Sequence, residues 1–197
     1  MNKAAHRDAA AKRRAVAHVA GGAQAAQRAC AVISDILVAR FGAQLGQVVL
    51  AGYMPMRSEI SPLPAMLAHP GPVCVPVITA RATPLEFHRW SAQTPMQRGQ
   101  FGADIPVTAD LLVPDVLIAP LLAYDPRGYR LGYGGGFYDR TLAQLRARGP
   151  VLAIGLAYGA QSQPEVPIEQ TDEPLDLIAT EEGLVTVPGR AEPGSLC

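Results

Sequence analysis

Apolar positions recur with helical spacing through the first forty residues. Residues 2–19 are rich in alanine and carry their charges on one side, a composition that strongly favours a helix. Apolar side chains return at steps of three and four through residues 21–41, which predicts a second helix. Gly42 follows where a helix C-cap is expected. The chain is therefore predicted to begin with two consecutive helices.

Short apolar runs predict six strands, at residues 48–53, 73–78, 85–90, 116–119, 151–158 and 175–180. Residues 85–90 alternate apolar and polar positions, as a half-exposed antiparallel or edge strand does. Residues 116–119 are apolar on both faces, which indicates a central strand. Ser61 and Pro62 have the residue types of an N-cap and a first helical position, so a helix is expected there.

The order of these elements predicts an α/β fold. Residues 91–110 are expected to form a loop, and a helix is expected over about 138–148. Strands that alternate with helices indicate a three-layer α/β/α sandwich with a mostly parallel, Rossmann-like sheet. The chain shows no internal repeat, so we expect one domain over residues 1–187 and a flexible tail over residues 188–197.

Composition excludes several classes of protein. The chain has 17 Lys+Arg and 17 Asp+Glu among 197 residues, and a generic nucleic-acid binder needs a basic surplus. No apolar stretch reaches the roughly 18 residues that span a bilayer. Cys30, Cys74 and Cys197 form no C-x-x-C pair, so we expect two buried residues and a free C-terminal thiol in a reducing cytoplasm.

A glycine-rich segment, residues 130–140, leads into the helix predicted at about 138–148. Its four glycines in five positions let backbone N–H groups approach a ligand, and the following helix N-terminus favours an anion, so the segment predicts a phosphate cradle. Arg130 could pair with phosphate oxygens, and Asp139 could hold a divalent cation that bridges them. The alternative is a flexible turn in which Asp139 only favours the helix dipole. The spacing matches neither G-x-G-x-x-G nor a Walker A loop.

Other charged residues gain meaning only in combination. Lys3 and Arg7 lie four residues apart and would point the same way from a helix, where a solvated face is the more common explanation. Glu59 follows a buried strand, at the edge of the sheet where ligand groups of α/β folds gather, although a lone Glu there is more often a surface residue. Asp172 and Asp176 lie in an acidic C-terminal segment.

Taken together, these features resemble the 5-formyltetrahydrofolate cyclo-ligase family, also called 5,10-methenyltetrahydrofolate synthetases. The most specific part is residues 120–140, with a Pro, a Tyr-Asp pair, a Gly, an Arg-Leu-Gly triplet, alternating glycines and a second Tyr-Asp pair. Lys3 to Arg7, residues 53–59, Phe87 to Trp90 and residues 166–181 extend the resemblance nearly from end to end.

The resemblance implies an ATP- and Mg²⁺-dependent ligase that closes 5-formyltetrahydrofolate to 5,10-methenyltetrahydrofolate and releases ADP and phosphate. A formamide oxygen is a poor leaving group, so its phosphorylation would give an activated imidate that N10 can attack. The partners would be 5-formyltetrahydrofolate and ATP. The protein would be a cytoplasmic monomer or weak homodimer that binds neither nucleic acid nor a membrane.

The same resemblance implies a role for each site residue. Arg130 and Tyr138 are the expected catalytic residues, and Asp139 and Asp176 are the expected Mg²⁺ ligands. ATP is expected to contact Lys3, Arg7, Arg130, Gly132, Tyr133, Gly134, Gly135, Gly136, Phe137 and Tyr138. The folate is expected to contact Met54, Glu59, Tyr133, Phe137 and Trp90, and Glu59 would accept hydrogen bonds from pterin N–H groups. A core role for Trp90 is the alternative.

The chain departs from the family pattern at three places. Tyr133 and Gly135 stand where some relatives have basic residues, so the remaining cations and the metal would carry more of the transition-state charge. Phe137 stands where many relatives have Tyr. Residues 101–106 blur a Gly-Ile-x-Glu-Pro stretch and receive no role.

Two other functions stay open, a non-catalytic protein that binds 5-formyltetrahydrofolate and an ATP-dependent enzyme for another small substrate. Intact Lys3, Arg130 and Asp139 speak against the first, because storage needs no apparatus for ATP and a metal. Residues 53–59 speak against the second. A sugar-phosphate-binding module would not need the cations of the N-terminal helix.

Overall fold

The structure, a computed structural model, describes residues 3–190. It begins with one helix, α1 (Lys3–Phe41), where the sequence predicted two. The backbone of Gly21 leaves the helical region, with φ 171° and ψ 34°, so the helix is interrupted where the two predicted helices meet. Gly42 has φ 49°, the left-handed conformation expected of a C-cap, and a 3₁₀ turn, Gly42–Gln47, follows.

Eleven strands and two further α-helices follow within the described residues. The strands are β1 (Leu50–Ala51), β2 (Val73–Val77), β3 (Glu86–Arg89), β4 (Met96–Arg98), β5 (Asp104–Pro106), β6 (Val116–Pro120), β7 (Ala123–Tyr124), β8 (Arg130–Leu131), β9 (Leu152–Leu156), β10 (Leu177–Thr180) and β11 (Gly183–Thr186). The helices are α2 (Leu63–Ala68) and α3 (Phe137–Arg148), and a 3₁₀ turn spans Gly159–Gln161.

Seven strands form one sheet in the order β11-β10-β9-β6-β1-β2-β3. The five strands from β10 to β2 are parallel, whereas β3 and β11 pair antiparallel at the two edges. The predicted mostly parallel sheet is confirmed, with β6 in its middle and β3 at its edge. The strand β11 was not predicted, and β4 and β5 form a hairpin within the expected loop at residues 91–110.

Helices cover both faces of the sheet. On one face, Ala29 and Ile33 of α1 pack with Leu50, Ile118 and Ile154. On the other face, Leu142 and Leu145 of α3 pack with Leu117, Ala153 and Ile178 of the strands. Successive residues of β6 therefore enter opposite layers, which is why that strand is apolar on both faces. The predicted three-layer α/β/α sandwich is confirmed.

The first helix also has the length and composition of a membrane span. The helical segment Lys3–Gln47 contains an 18-residue window of mean hydropathy 1.4. Its apolar side packs against the sheet through residues such as Ile33, Ile36 and Leu37.

Some expectations concern the ends of the chain and the cysteines. Cys30 and Cys74 are buried free thiols, as expected. Cys197 and residues 191–197 of the predicted tail lie outside the described residues. The predicted N-cap is displaced by one residue, because α2 begins at Leu63 after Pro62, while the hydroxyl of Ser61 accepts a hydrogen bond from the Leu63 N–H at 3.3 Å.

Candidate active site

A cavity of about 1220 Å³ opens at the carboxyl ends of the central parallel strands. Parallel strands end at the same edge of a sheet, so the segments that follow β1, β2 and β6 converge there. The walls come from the start of α1, residues 53–59, residues 76–79, the β4–β5 hairpin, residues 130–140 and residues 167–173. This volume lies above the usual range of about 300–1,000 Å³ for a pocket that holds one small molecule.

The glycine-rich segment is shaped by the side chains that press on it. Gly134 has φ +98°, and a Cβ atom there would lie 3.1 Å from the guanidinium carbon of Arg7. Arg7 Nε also donates a hydrogen bond to the carbonyl of Gly132 at 3.0 Å. Gly136 precedes α3 with φ +62°. Glycine is favoured at Gly134 and Gly136 because residues with side chains rarely adopt these left-handed φ values.

Arg130 and Asp139 pair at the base of this segment. Arg130 Nη2 lies 2.7 Å from Asp139 Oδ1, and Arg130 Nη1 donates to the carbonyl of Glu173 at 2.6 Å. Only 5% of the Arg130 side chain is exposed. Burial lowers the pKa of Arg130, and the neighbouring carboxylate of Asp139 opposes that shift. The pair with Asp139 therefore holds the guanidinium group of Arg130 at the cavity wall.

Lys3 brings a further cation to the cavity from the first turn of α1. Its Nζ lies 2.9 Å from Glu169 Oε1 and 3.4 Å from Asp172 Oδ2. All three side chains line the cavity. An anionic ligand that binds Lys3 would have to replace these carboxylates.

The structure does not bring Asp176 into the cavity beside Asp139. Asp139 lines the wall, and its Oδ1 also accepts a hydrogen bond from the Glu173 N–H at 3.1 Å. Asp176 instead binds Arg146 Nη2 at 3.1 Å and the Ala153 N–H at 2.8 Å, behind the cavity wall. Within residues 3–190, no group of three or more Asp, Glu, His and Cys side chains could hold a metal ion. Asp139 alone fits Mg²⁺, which usually takes one or two carboxylates together with substrate phosphates.

At the other end of the cavity, Glu59 is buried among hydrogen-bond donors. Tyr133 donates its hydroxyl hydrogen to Glu59 Oε1 at 2.9 Å, and the Met56 N–H donates to Oε2 at 2.8 Å. Burial raises the pKa of Glu59, and the hydrogen bonds from Met56 and Tyr133 and the charge of Arg14 oppose that rise. Glu59 is thus a carboxyl group at the cavity wall whose protonation depends on its neighbours.

Phe137 and Tyr138 also form part of the cavity wall. Burial and the charge of Glu59 raise the pKa of Tyr138 well above its ordinary value, so its hydroxyl stays protonated and can donate a hydrogen bond. The ring of Phe137 meets the ring of Phe101 edge to face, with centroids 6.1 Å apart. Phe101 belongs to the connection between β4 and β5, so the hairpin packs over the glycine-rich segment.

Met54 forms part of the cavity wall, whereas Trp90 does not. Met54 lines the cavity and packs against a cluster that contains Trp90, Met66 and Val75. Trp90 itself is buried in that cluster and is not among the residues that line the cavity. The structure therefore places Trp90 behind Met54, in the core position that was the alternative.

The sequence model of one protein family matches most of the chain. The sequence model of the 5-formyltetrahydrofolate cyclo-ligase family matches residues 3–181. The chain belongs to this family. That match includes Lys3, Arg7, Glu59 and the whole glycine-rich segment, which are the residues that the fold brings to one cavity.

Curated relatives and solved structures agree with the family. The chain is 42% identical over 96 residues to a 5-formyltetrahydrofolate cyclo-ligase of Haemophilus influenzae, a match that covers 46% of this chain and 51% of the relative. It is 30% identical over 151 residues to one of Mycolicibacterium smegmatis, covering 71% and 76%. The chain thus spans about half the length of the first relative. The structure of a 5,10-methenyltetrahydrofolate synthetase of Aquifex aeolicus has a TM-score of 0.71 at 24% identity, covering 98% of this chain and 96% of that one.

The fold explains one motif of the cyclo-ligase family that received no role from sequence. Asp125 is fully buried, and its carboxylate accepts hydrogen bonds from the N–H groups of Arg127 and Val166 at 2.9 and 3.0 Å. Arg127 also binds it through its side chain at 2.6 Å. Asp125 therefore joins the turn before β8 to the segment that carries Glu169 and Asp172, and it supports the site without lining it.

Sequence reasoning missed two parts of the site. Arg14 is buried beside Glu59 and Tyr133, but its neighbours in sequence are equally basic and are exposed. The hairpin at residues 96–106 contributes Arg98 and Phe101 to the cavity wall, yet each of its strands has only three residues. The buried position of Arg14 in α1 follows from the contacts of the whole fold, and no local pattern distinguishes it.

Proposed function

We propose that this chain catalyses the ATP- and Mg²⁺-dependent cyclisation of 5-formyltetrahydrofolate to 5,10-methenyltetrahydrofolate, with release of ADP and phosphate. The observation that carries this proposal is that a cationic, glycine-rich anion site and the buried Glu59–Tyr133 pair share a single cavity. Family membership and the large volume of the cavity support it. An enzyme for this reaction must hold a nucleotide and a folate side by side.

The reaction has two steps in the proposed mechanism. The formyl oxygen attacks the γ-phosphorus of ATP, and ADP leaves, which gives a phosphorylated imidate at N5. N10 then attacks the formyl carbon, the N10 proton is lost, and phosphate leaves with the former formyl oxygen. Catalysis of this kind depends on positioning and on stabilising charge, so the protein must align the γ-phosphate, the formyl oxygen and N10.

The nucleotide end is assigned to the glycine-rich segment and the cations around it. Lys3 and Arg7 would bind phosphate oxygens, and Arg130 would stabilise the charge that develops on the transferred group. The backbone N–H groups of residues 132–136 would wrap the phosphates, with Phe137 and Tyr138 as further contacts. Tyr138 would donate a hydrogen bond from its hydroxyl, which stays neutral at physiological pH.

Asp139 is the proposed Mg²⁺ ligand of this chain, and phosphate oxygens would provide the other ligands. Mg²⁺ would neutralise charge on the transferred phosphoryl group. To bind the ion, Asp139 would exchange its contact with Arg130, which would release the guanidinium group toward the phosphates. Asp176, which the resemblance paired with Asp139, receives no metal role in this proposal because Arg146 and the Ala153 N–H occupy its carboxylate.

The folate end is assigned to the wall that contains Glu59. Its carboxylate would accept hydrogen bonds from pterin N–H groups, and Met54, Tyr133 and Phe137 would contact the ring system. Trp90 would support Met54 from behind rather than touch the substrate. We place the reaction in the cytoplasm, where the free thiols of Cys30 and Cys74 are stable.

The test is a reconstitution with purified protein. We expect the near-ultraviolet absorbance of the methenyl product to rise only when 5-formyltetrahydrofolate, ATP and Mg²⁺ are all present. Folate binding by calorimetry without turnover would instead indicate a protein that sequesters folate. Absence of both turnover and folate binding would indicate an ATP-dependent enzyme for another substrate and would overturn the proposal.

A further inference from the structure

Arg14 is a buried cation that contacts Ser58, Glu59 and Tyr133 at the folate end of the cavity, and its Nη1 also donates to the carbonyl of Leu121 in the core at 3.4 Å. It lies on α1, and only 3% of its side chain is exposed. Its Nη2 donates to the Tyr133 hydroxyl at 2.6 Å, and its Nε donates to the Ser58 hydroxyl at 3.2 Å. Its Nη1 lies 3.7 Å from Glu59 Oε1. Burial of a guanidinium group is unfavourable unless its N–H donors have acceptors, and these contacts provide acceptors for Arg14.

The chemistry of the donors determines the direction of each hydrogen bond. Arginine can only donate, so the Tyr133 hydroxyl accepts from Arg14 and directs its own hydrogen to Glu59 Oε1. The Met56 N–H occupies Oε2 of the same carboxyl group. Both oxygens of Glu59 therefore accept hydrogen bonds, an arrangement that favours the ionised carboxylate.

The groups that face Glu59 come from every segment packed around it. Arg14 from α1 and Arg57 from the same turn carry positive charge, and Tyr53, Tyr133 and Tyr138 present their hydroxyl groups. Arg57 is exposed, so water and salt screen its charge. Arg14 is the buried cation of this set, and its removal would leave the effect of burial on the pKa of Glu59 opposed only by the hydrogen bonds from Met56 and Tyr133 and by the exposed Arg57.

We propose that Arg14 is a positioning residue for the folate: through Tyr133 it orients the carboxyl group of Glu59 and keeps it ionised, ready to accept hydrogen bonds from the substrate. The identity of the substrate rests on the proposed function, whereas the link from Arg14 to Glu59 does not. The helix α1 then acts at both ends of the cavity, because Arg7 binds the carbonyl of Gly132 and Arg14 binds the adjacent Tyr133.

The first test needs no substrate. The Glu59 carboxyl group is titrated by carbon-13 NMR in protein labelled at glutamate, and Glu59→Gln assigns its signal. We expect a higher pKa for Glu59 in Arg14→Met than in the wild type. Arg13→Met is the matched control, since Arg13 is an exposed neighbour on the same helix, and it should leave the pKa of Glu59 unchanged. An unchanged pKa in Arg14→Met would overturn the proposal.

The second test measures folate affinity and turnover against pH. At neutral pH, Arg14→Met should weaken 5-formyltetrahydrofolate binding by about tenfold or more, with a much smaller change in KM for ATP. The loss should shrink as the pH rises, because Glu59 regains its charge. In a Glu59→Gln background, the same substitution should have little further effect. Equal losses in both backgrounds, independent of pH, would show a purely structural role.

Two more variants keep the proposal testable if Arg14→Met does not fold. Tyr133→Phe leaves Arg14 in place but removes the hydroxyl that joins it to Glu59, so it should also raise the pKa of Glu59 and weaken folate binding. Arg14→Lys keeps the charge but not the planar fork and should have a smaller effect on the Glu59 pKa. If the wild type does not bind 5-formyltetrahydrofolate, the proposed function fails, while the carboxyl titration still decides the role of Arg14.

Discussion

Arg130 Nη2 lies 2.7 Å from Asp139 Oδ1, so the cation assigned to phosphate and the carboxylate assigned to the metal neutralise each other. The two residues stand at opposite ends of the glycine-rich segment, Arg130 in β8 and Asp139 in the first turn of α3. Nucleotide and Mg²⁺ binding would exchange this contact for one phosphate contact and one metal contact. The pair thus keeps both side chains in place before the ligands arrive.

The metal assignment predicts the effect of Asp139→Asn. The amide has almost the shape of the carboxylate but lacks its charge, so Mg²⁺ would lose its ligand from the chain. We expect turnover to fall by at least about a hundredfold, with little change in KM for 5-formyltetrahydrofolate. Steady-state rates over a range of Mg²⁺ concentrations measure the effect.

A second Arg–Asp pair provides the control for Asp139→Asn. Asp110 accepts a hydrogen bond from Arg89 at 2.7 Å on the surface of the molecule, so Asp110→Asn should leave the rate and the Mg²⁺ dependence unchanged. Full activity of Asp139→Asn at saturating Mg²⁺ would remove Asp139 from the metal role.

The contacts of Lys3 predict a selective effect on ATP. Lys3→Met should raise KM for ATP by about tenfold and leave KM for the folate nearly unchanged, because one charge-assisted phosphate contact is lost. Lys12→Met is the control, since Lys12 is exposed on the same helix. A parallel rise in both KM values would instead indicate that the fold of the N-terminal turn is disturbed.

A substitution of Glu169 tests whether this carboxylate competes with ATP for Lys3. Glu169 is largely exposed and pairs with Lys3 at 2.9 Å. Glu169→Gln should weaken that pair and lower KM for ATP by about twofold, since exposed ion pairs contribute little. An increase in KM for ATP would mean that Glu169 assists nucleotide binding rather than competing with it.

Most of the fold and part of the site follow from local sequence patterns. The apolar run of β6 predicts a central strand because residues such as Leu117 and Ile118 must enter opposite layers. The glycine-rich segment predicts an anion site because residues without side chains let backbone N–H groups approach a ligand, and the left-handed φ values of Gly134 and Gly136 favour glycine. The contact between Lys3 and Asp172 could not be predicted from sequence spacing, since the two residues are 169 positions apart.

The remaining differences have physical causes in the tertiary structure. The strands β4 and β5 have only three residues each, too few to show the apolar alternation that signals a strand. Asp176 is acidic and lies near the site in sequence, but the Arg146 side chain and the Ala153 N–H bind its carboxylate outside the cavity. Arg14 is buried because Tyr133 and Ser58 converge on it, and both come from distant segments.

The backbone of Gly134 predicts a cost for a single methyl group. In Gly134→Ala, the Cβ atom would meet the guanidinium group of Arg7 at 3.1 Å, and φ +98° is unfavourable for alanine by on the order of 1–3 kcal/mol. We expect weaker ATP binding by calorimetry together with a lower unfolding temperature. Gly149→Ala is the control, because its Cβ atom would enter open space at the end of α3. Equal ATP affinities in the two variants would contradict this role for Gly134.

The burial of Glu59 predicts that the residue destabilises the free protein at neutral pH. Its folded-state pKa is raised by burial, so its contribution to stability is fully present below the pKa of the unfolded chain and is lost as the pH rises through the folded value. Glu59→Gln cannot titrate and serves as the reference. Urea unfolding of both proteins between about pH 4 and pH 8 should show the wild type losing stability relative to Glu59→Gln as the pH rises. A constant difference across that range would mean that the pKa of Glu59 is the same in the folded and unfolded chains.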